Sequence, residues 1–587
     1  ILRGTNDSPN FSRGLTVPAV VVPHGFNFFA PATTDADNKI YNYQDRKLKH
    51  ITISHEPSYW VGDRGTWQYM INTSINIDDV TNESDIDTKS RDAKFSHENE
   101  VAKAHYYSVT FDEGSNASNS KIEITPTEHG AVNRFTFDKN SKNRNIIFDS
   151  TRADGTLVYN DDGSFEATSN DISNGMQKMY IYGEFLEKPI ATKVECDKQG
   201  IASFKSDVVE LKLATSFISI EQAKKNLELE IKCSDNFDSI FQRAQKLWDE
   251  TLDFVDVKGA TEDQLVSLYS NIYRLNAYPN LLAENNGTNA NPQWKYKSPY
   301  NEHQLVDGIL YYNNGFWDTY RTVWPAYALF ISKKATELLN GLVQHYYDNG
   351  HVPRWIAPGG TNSMVGTSSD IIFGDSAAKG IEFDLQGAYE SAIKNAAVAV
   401  DPKNLTNGGR ALLNKSIFEG YTAHDEQREG FSWSIEGYLN DYGVHQLAKK
   451  LGKEDEAEYY LNRALNYSKL FKSTGDDVSK KWLRGRNANG DWSYSDENFN
   501  PLFWGDDYTE TNAFNMSVSV TQDGQGLANL YGGREALGEK IDTIFNTNGD
   551  YWGYGANKSI GGIHEQKEAR EIKLGQYGHS NQPSHHI

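Results

Sequence analysis

The stretch VVELKLA (Val208–Ala214) alternates apolar and polar side chains, whereas FQRAQKLWDETLDF (Phe241–Phe254) spaces its apolar residues three and four apart. The first rhythm belongs to a strand with one buried face, the second to a helix with one buried stripe. Upstream, KIEIT (Lys121–Thr125), RFTFD (Arg134–Asp138), NIIFD (Asn145–Asp149) and MYIYG (Met179–Gly183) repeat the strand pattern between Gly, Asn and Asp residues. Downstream, DQLVSLYSNIYR (Asp263–Arg274), ATELLNGLVQHYY (Ala335–Tyr347) and DEAEYYLNRALNYSKLF (Asp455–Phe471) repeat the helical one. The change falls near residue 236 and predicts two domains: an antiparallel β-sandwich over 1–235 and a helical domain over 236–587. Long loops around His351–Trp355 and Met364–Ser376 join the helices, as expected for an (α/α) barrel or toroid with its site at the mouth.

A chain of 587 residues exceeds what one hydrophobic core supports, which agrees with two domains. Its net charge of −22 argues against nucleic acid and anionic membrane as partners, both being polyanions. No apolar run is long enough to span a bilayer, and the opening residues Ile1–Pro9 do not read as a signal peptide, as if a leader or preceding module were absent. Aromatic residues make up 12%, enough to close a core, so disorder is excluded. Trp and Tyr faces also match sugar rings, although large β-rich proteins use the same residues in their cores. Cys196 and Cys233 are too few for a disulfide framework or a zinc site and read as a chance pair of buried thiols.

Several polar clusters could carry chemistry. Glu510, in YTETNAFNMSVSVTQDGQGL (Tyr508–Leu527), lies among amides and aromatics, surroundings that hold a carboxyl proton above its usual range. Trp317, Asp318 and Arg321 offer a stacking face with an acceptor and a donor for vicinal hydroxyls, or Asp318 caps a helix. Asp370, Asp375 and Lys379 sit among small and apolar residues, as sugar contacts or as a buried ion-pair network. Glu436 and Asp441, five apart on a helix, read as structural. His564, Glu565, Glu568, Asn581 and Gln582 bring oxygen-rich ligands suited to Ca²⁺, whereas His585 and His586 point different ways and make a poor transition-metal pair.

The order of WDTYR (Trp317–Arg321), HVPRW (His351–Trp355), MVGTSSDIIFGD (Met364–Asp375) with KGI (Lys379–Ile381), YTETNAFN (Tyr508–Asn515), DGQGL (Asp523–Leu527) with YGG (Tyr531–Gly533), and HSNQPSHH (His579–His586) resembles glycoside hydrolase family 92. The resemblance runs from PHGFNFFAP (Pro23–Pro31) to the last residue and implies an exo-acting, calcium-dependent, inverting α-mannosidase with a β-sandwich and an (α/α)6 barrel. It implies that Glu510 is the general acid and that Asn581 and Gln582 help hold Ca²⁺. It further implies that Trp317, Asp318, Arg321 and Asp370 bind the sugar. His564 and Glu565, with Trp60 from the SHEPSYWVGD loop that ends at Asp63, would contact the leaving group of an α-1,2 linkage.

The family's general base lies in an Asp-Asp-x-Gly segment downstream of the NQPSHH motif, so the resemblance implies a base outside these residues and a barrel lacking its final helices. Asp506 and Asp507 would belong to the same wall as Glu510 and so make poor substitutes. Other mannose linkages (α-1,3, α-1,4 or α-1,6) and a non-catalytic mannan-binding fragment are the alternatives; a phosphorylase would need a phosphate cradle that the sequence lacks. The substrate class, a mannose-containing glycan or mannan, places the protein outside a bacterial cell or on its surface.

Overall fold

The computed structural model describes residues 1–8, 14–34, 39–150, 155–170, 178–548 and 563–587. Gly561 and Gly562, which open the polar run ahead of His564, lie outside them. The chain packs as two compact units, one of Ile1–Asp7, Arg13–Asn313 and Ala357–Gly359, the other of Ser8–Ser12, Asn314–Ile356 and Gly360–Ile587.

In the first unit two large antiparallel sheets dominate the described residues, and five short strands over 280–312 form two small ones. One large sheet orders Phe28–Ala32, His50–Ser54, Trp67–Asn72, Asn145–Asp149, Gln199–Ser203 and Ala191–Glu195; the other runs from Thr156–Tyr159 through Val208–Ser216 to Ala93–Lys103 and Lys47–Leu48. Their register explains the alternation seen in the sequence. Val109 pairs with Ile122, Ile122 with Phe135, and Phe135 with Val209, so one buried row crosses four strands. That row and residues of the facing sheet, such as Ile53, Trp67 and Phe148, share one core, which makes the pair a sandwich.

Helices Ile220–Glu230, Phe237–Leu252 and Glu262–Leu275 follow the strand Val208–Ser216. Phe237–Leu252 buries Phe237, Ile240, Ala244 and Trp248, the stripe its spacing predicts, and a capping box between Asn236 and Ser239 starts it. These helices pack within the first unit, so the change of period precedes the division of the compact units at Asn313.

The second unit is helical. Its longest helix, Gly430–Lys450, is buried on most of its circumference and crosses Ser369–Ala378 closely. A Cβ on Gly374 would stand 2.5 Å from the Gly443 carbonyl oxygen, and one on Gly443 2.4 Å from that of Asp370, so only glycines permit the crossing. Helix Ser369–Ala378 corrects the expectation of a long loop over Met364–Ser376. It is enclosed on all sides, from Ser369 to Ala377 with only Asp375 partly open, so it shows no apolar stripe to reveal it. The cysteines are corrected too: Cys196 and Cys233 are both exposed, Cys196 in a left-handed turn past the strand Ala191–Glu195. Among the described residues no helix is long and apolar enough to cross a membrane.

Candidate active site

Glu510 stands in a turn just before the short helix Ala513–Met516, with its backbone in the left-handed region at φ +50°. Asn581 holds it twice, its amide nitrogen donating to the Glu510 backbone oxygen at 2.9 Å and to Oε2 at 3.2 Å. The same two segments are joined further along. Asn512 caps the helix and donates to Gln576 Oε1 at 2.8 Å, Asn515 donates to the Gln576 carbonyl at 2.9 Å, and the Ser584 hydroxyl donates to Asn515 Oδ1 at 3.0 Å. The amides flanking Glu510 therefore fix its loop rather than forming the pocket surface alone. Burial pushes the Glu510 carboxyl up to about 7; the Asn581 bond opposes this, and the charges of Asp318, Glu565 and Glu429 add to it.

Asp318 does not cap its helix, whose N-cap is Gly315. Its Oδ2 instead accepts from the Trp355 indole at 2.8 Å, and burial raises its carboxyl to about 6 against the opposing Trp355 bond and Arg321 charge. Arg321 lies over the rings of Trp317, at 4.5 Å, and Tyr320, at 4.3 Å, and spends one amino group on Glu436 Oε1 at 2.6 Å. Thus the expected Asp318–Arg321 fork is modified: Asp318 is oriented by Trp355, and Arg321 is held by Glu436 and two aromatic faces. Trp355, in the HVPRW motif, reaches Asp318 from 37 residues away in sequence, so nothing local to either residue signals the contact.

Asp370 is fully buried with both oxygens engaged, accepting from Thr367 Oγ1 at 2.7 Å, Asn395 Nδ2 at 2.9 Å and Arg410 Nη2 at 3.3 Å. Arg410 also binds Asp441 at 2.7 Å, and Asp441 binds Arg463 at 2.9 Å. Of the two readings of this stretch, the geometry matches the buried ion-pair network, which pins Ser369–Ala378 to Gly430–Lys450. Asp375 and Lys379 form a partly exposed i,i+4 pair at 2.5 Å, an ordinary solvated face that corrects the expectation for those two. Asp507 Oδ1 accepts from the Phe431 N–H at 3.0 Å, closing the end of helix Gly430–Lys450, and the Asp506 oxygen accepts from the Glu429 N–H at 3.2 Å.

Helix His564–Glu571 presents His564, whose Nε2 lies 3.2 Å from Glu565 Oε1. Glu565 Oε2 is buried without a hydrogen-bond partner among the described residues. Asn581 Oδ1 accepts from the Gln582 N–H at 3.1 Å and keeps a second lone pair. Among the described residues no three His, Cys, Asp or Glu side chains are arranged to hold a metal. Side-chain amide oxygens such as those of Asn581 and Gln582 suit calcium in kind and would be the groups to hold it. His585 and His586 do not act as a pair: His585 Nε2 lies 3.2 Å from the His579 carbonyl, and His586 is held down to about 3 by burial.

Within the first unit, Trp60 projects with 71% of its surface exposed and its ring edge-on to Tyr59 at 4.9 Å. Asp63 closes the same loop, its Oδ1 accepting from the His55 N–H at 3.0 Å and the Arg64 N–H at 2.7 Å. Asp63 therefore shapes the loop that carries Trp60.

Residues 222–587 match the glycosyl hydrolase family 92 catalytic domain, and residues 1–232 match the family 92 N-terminal domain. Among solved structures, a family GH92 inverting mannosidase from Bacteroides thetaiotaomicron VPI-5482 is 28% identical over 99% of this chain and 78% of its own, with a TM-score of 0.86. A GH92 alpha-mannosidase from Bacteroides thetaiotaomicron, solved in complex with mannoimidazole, is 22% identical over 99% of this chain and 76% of its own, with a TM-score of 0.79. No curated protein sequence matches the chain. The fold is accordingly an N-terminal β-sandwich followed by a helical domain of the (α/α)6 type, and the chain is a glycoside hydrolase that belongs to glycosyl hydrolase family 92.

Proposed function

We propose that this chain is an exo-acting α-mannosidase that removes terminal α-1,2-linked mannose from glycans with inversion, outside a bacterial cell or attached to its surface. The observation that carries the reading is Glu510, a half-buried carboxyl fixed by Asn581 that keeps its proton up to about pH 7. Because Oε2 accepts from Asn581, the proton belongs on Oε1, ready for the departing glycosidic oxygen. Asp318, aimed by Trp355, is the acceptor for hydroxyls of the terminal mannose, with Trp317 beside it and Arg321 held in place by Glu436. His564 with Glu565 supplies polar contacts to the leaving-group sugar; Glu565 Oε2, buried and without a hydrogen-bond partner among the described residues, suits a hydroxyl donor. Asn581 and Gln582 would hold calcium, which when bound polarises sugar hydroxyls and favours ring distortion. We assign 1–235 to the sandwich domain and 236–587 to the catalytic one.

Similarity to an inverting mannosidase and to an alpha-mannosidase solved with mannoimidazole supports this reading. The test follows mannose release from α-1,2-, α-1,3-, α-1,4- and α-1,6-mannobiose by NMR, reading the anomer formed first. Release of β-mannose, preference for the α-1,2 substrate, loss of rate in EDTA and a roughly 10²–10⁴-fold slower Glu510→Gln variant are expected. Unchanged turnover in Glu510→Gln removes it from the acid role. Binding of mannobiose without product would favour a non-catalytic mannan-binding fragment.

A further inference from the structure

Gln576 ties the segment that carries Glu510 to an element outside it, the end of helix Arg534–Asn546. Gly575, with φ +62°, brings the chain there: a Cβ on it would stand 2.6 Å from the Ile544 oxygen and closer still to that of Phe545, so only glycine permits the approach. The Gln576 N–H then donates to the Ile544 oxygen at 2.7 Å and its Nε2 to the Thr547 oxygen at 3.3 Å. With its donors spent on the helix end, its two acceptors serve the short helix that follows Glu510. Oε1 accepts from Asn512 Nδ2 at 2.8 Å, and the Gln576 carbonyl accepts from Asn515 Nδ2 at 2.9 Å. All three residues are buried.

Capping does not account for Asn512. Its Oδ1 accepts from the Phe514 and Asn515 N–H groups, a task that Ser, Thr or Asp performs as well. An amide adds a nitrogen donor while the oxygen caps, and here that donor goes to Gln576. The bond completes a ring around Glu510. From Gln576 the chain turns back through bonds from Tyr577 N to the Leu574 oxygen and from Asn581 N to the Gly578 oxygen, both 3.0 Å, and delivers Asn581 to Glu510. Glu510 is thus held directly by Asn581 and, through Asn512 two residues on, by Gln576. Asn581 alone would leave the turn a pivot; the second attachment fixes its angle. A general acid acts only within hydrogen-bond reach of the oxygen it protonates, so that angle bears on proton transfer more than on binding. Resting on the reading of Glu510 as the acid, we infer that Gln576, acting through Asn512, is a positioning residue for proton delivery to the departing oxygen.

The experiment measures kcat and KM of the full chain, with calcium present, on two substrates that differ in their need for the acid. The mannobiose that the chain cleaves fastest has a sugar leaving group, which must take a proton as its bond to C1 breaks; α-mannosyl fluoride releases fluoride, a weak base that needs none. Glu510→Gln sets the pattern, with kcat falling for mannobiose far more than for the fluoride. Gln576→Leu, similar in size but without Oε1, is expected to lower kcat on mannobiose roughly ten- to hundred-fold, with KM and the fluoride reaction unchanged. Asn512→Ser keeps the cap but cannot reach Gln576; it should behave alike, and it decides the matter should Gln576→Leu fail to fold. The double variant should be little slower than either single one. Equal losses on both substrates, as a merely structural role would give, or no loss on either, overturn the inference while Glu510→Gln still discriminates. If Glu510→Gln itself slows both substrates alike, or the native chain cleaves neither, the acid reading fails and takes the inference with it.

Discussion

Replacing Gly315 by alanine should dismantle the orientation of Asp318 without touching that residue. Gly315 has an ordinary φ of −92°, so the backbone admits alanine and the effect is steric. The added Cβ would stand 2.1 Å from Asp318 Oδ2 and 2.1 Å from Trp355 Nε1, in the path of their 2.8 Å hydrogen bond. Trp355 cannot swing clear, because it is buried and its strand is paired with Gly315 itself. Overpacking costs about 1–3 kcal/mol, and the broken bond to a carboxylate about 1.5–3 kcal/mol more. Losing the Trp355 donor also removes an influence that lowers the Asp318 pKa, so the carboxyl moves further up from about 6. The expected outcome is a melting temperature several degrees lower, and kcat/KM on an aryl α-mannoside reduced roughly ten- to hundred-fold. Trp355→Phe removes the same bond by another route, so the double variant should be much less than additive. Wild-type kinetics in Gly315→Ala, or full additivity in the double variant, would refute the role given to this bond.

Three other expectations follow from the titrating groups. Glu510 must be protonated to act, so kcat/KM should fall as pH rises through about 7, and a plateau reaching pH 9 would argue against it. Lys540 is buried over the Trp482 ring at 3.1 Å, and burial lowers it from 10.5 to about 7. Its charged form is penalised most below pH 7 and the penalty fades toward 10.5; a cost of about 5 kcal/mol, offset by ~2 kcal/mol of cation–π attraction, predicts that Lys540→Met raises the melting temperature more at pH 6 than at pH 10. His129 is the opposite case: burial would lower it, but Glu230 at 2.5 Å raises it from 6.5 to about 9. Its stabilisation, about 3 kcal/mol, is complete below pH 6.5 and lost as pH passes 9, so His129→Gln should flatten the pH dependence of thermal unfolding across that window.

What the sequence disclosed depended on whether an element's apolar residues follow a period. Lys121–Pro126 is buried on both faces, but only Ile122 and Ile124 enter the apolar core while Glu123 and Thr125 alternate with them, so its period is plain. Ser369–Ala378 is enclosed all round and has no period to read, so it passed for loop. The acid could be recognised from its TETNAF setting, and the fold now supplies Asn581 as the group that holds it. Trp355 is not legible as a site residue, because its partner Asp318 comes from a different element 37 positions away.

The three acidic residues Glu429, Asp506 and Glu510 all hold left-handed backbones, with φ of +61°, +63° and +50°. Each costs about 1–2 kcal/mol, so chance relaxation would remove them unless their surroundings over-determine the conformation. The bonds that do so are mutual: the Glu429 N–H donates to the Asp506 oxygen, the Gly505 N–H to the Thr511 oxygen at 2.9 Å, and Asn581 to the Glu510 oxygen. A turn built this way presents a carboxyl side chain outward while its backbone groups are consumed by neighbours, which a helix or strand could not do at the same place. The strain is therefore the consequence of presenting Glu510 from a fully bonded loop. The amides that follow Glu510 anchor the turn from its far side: Asn512 caps the helix Ala513–Met516, and Asn512 and Asn515 tie that helix to Gln576.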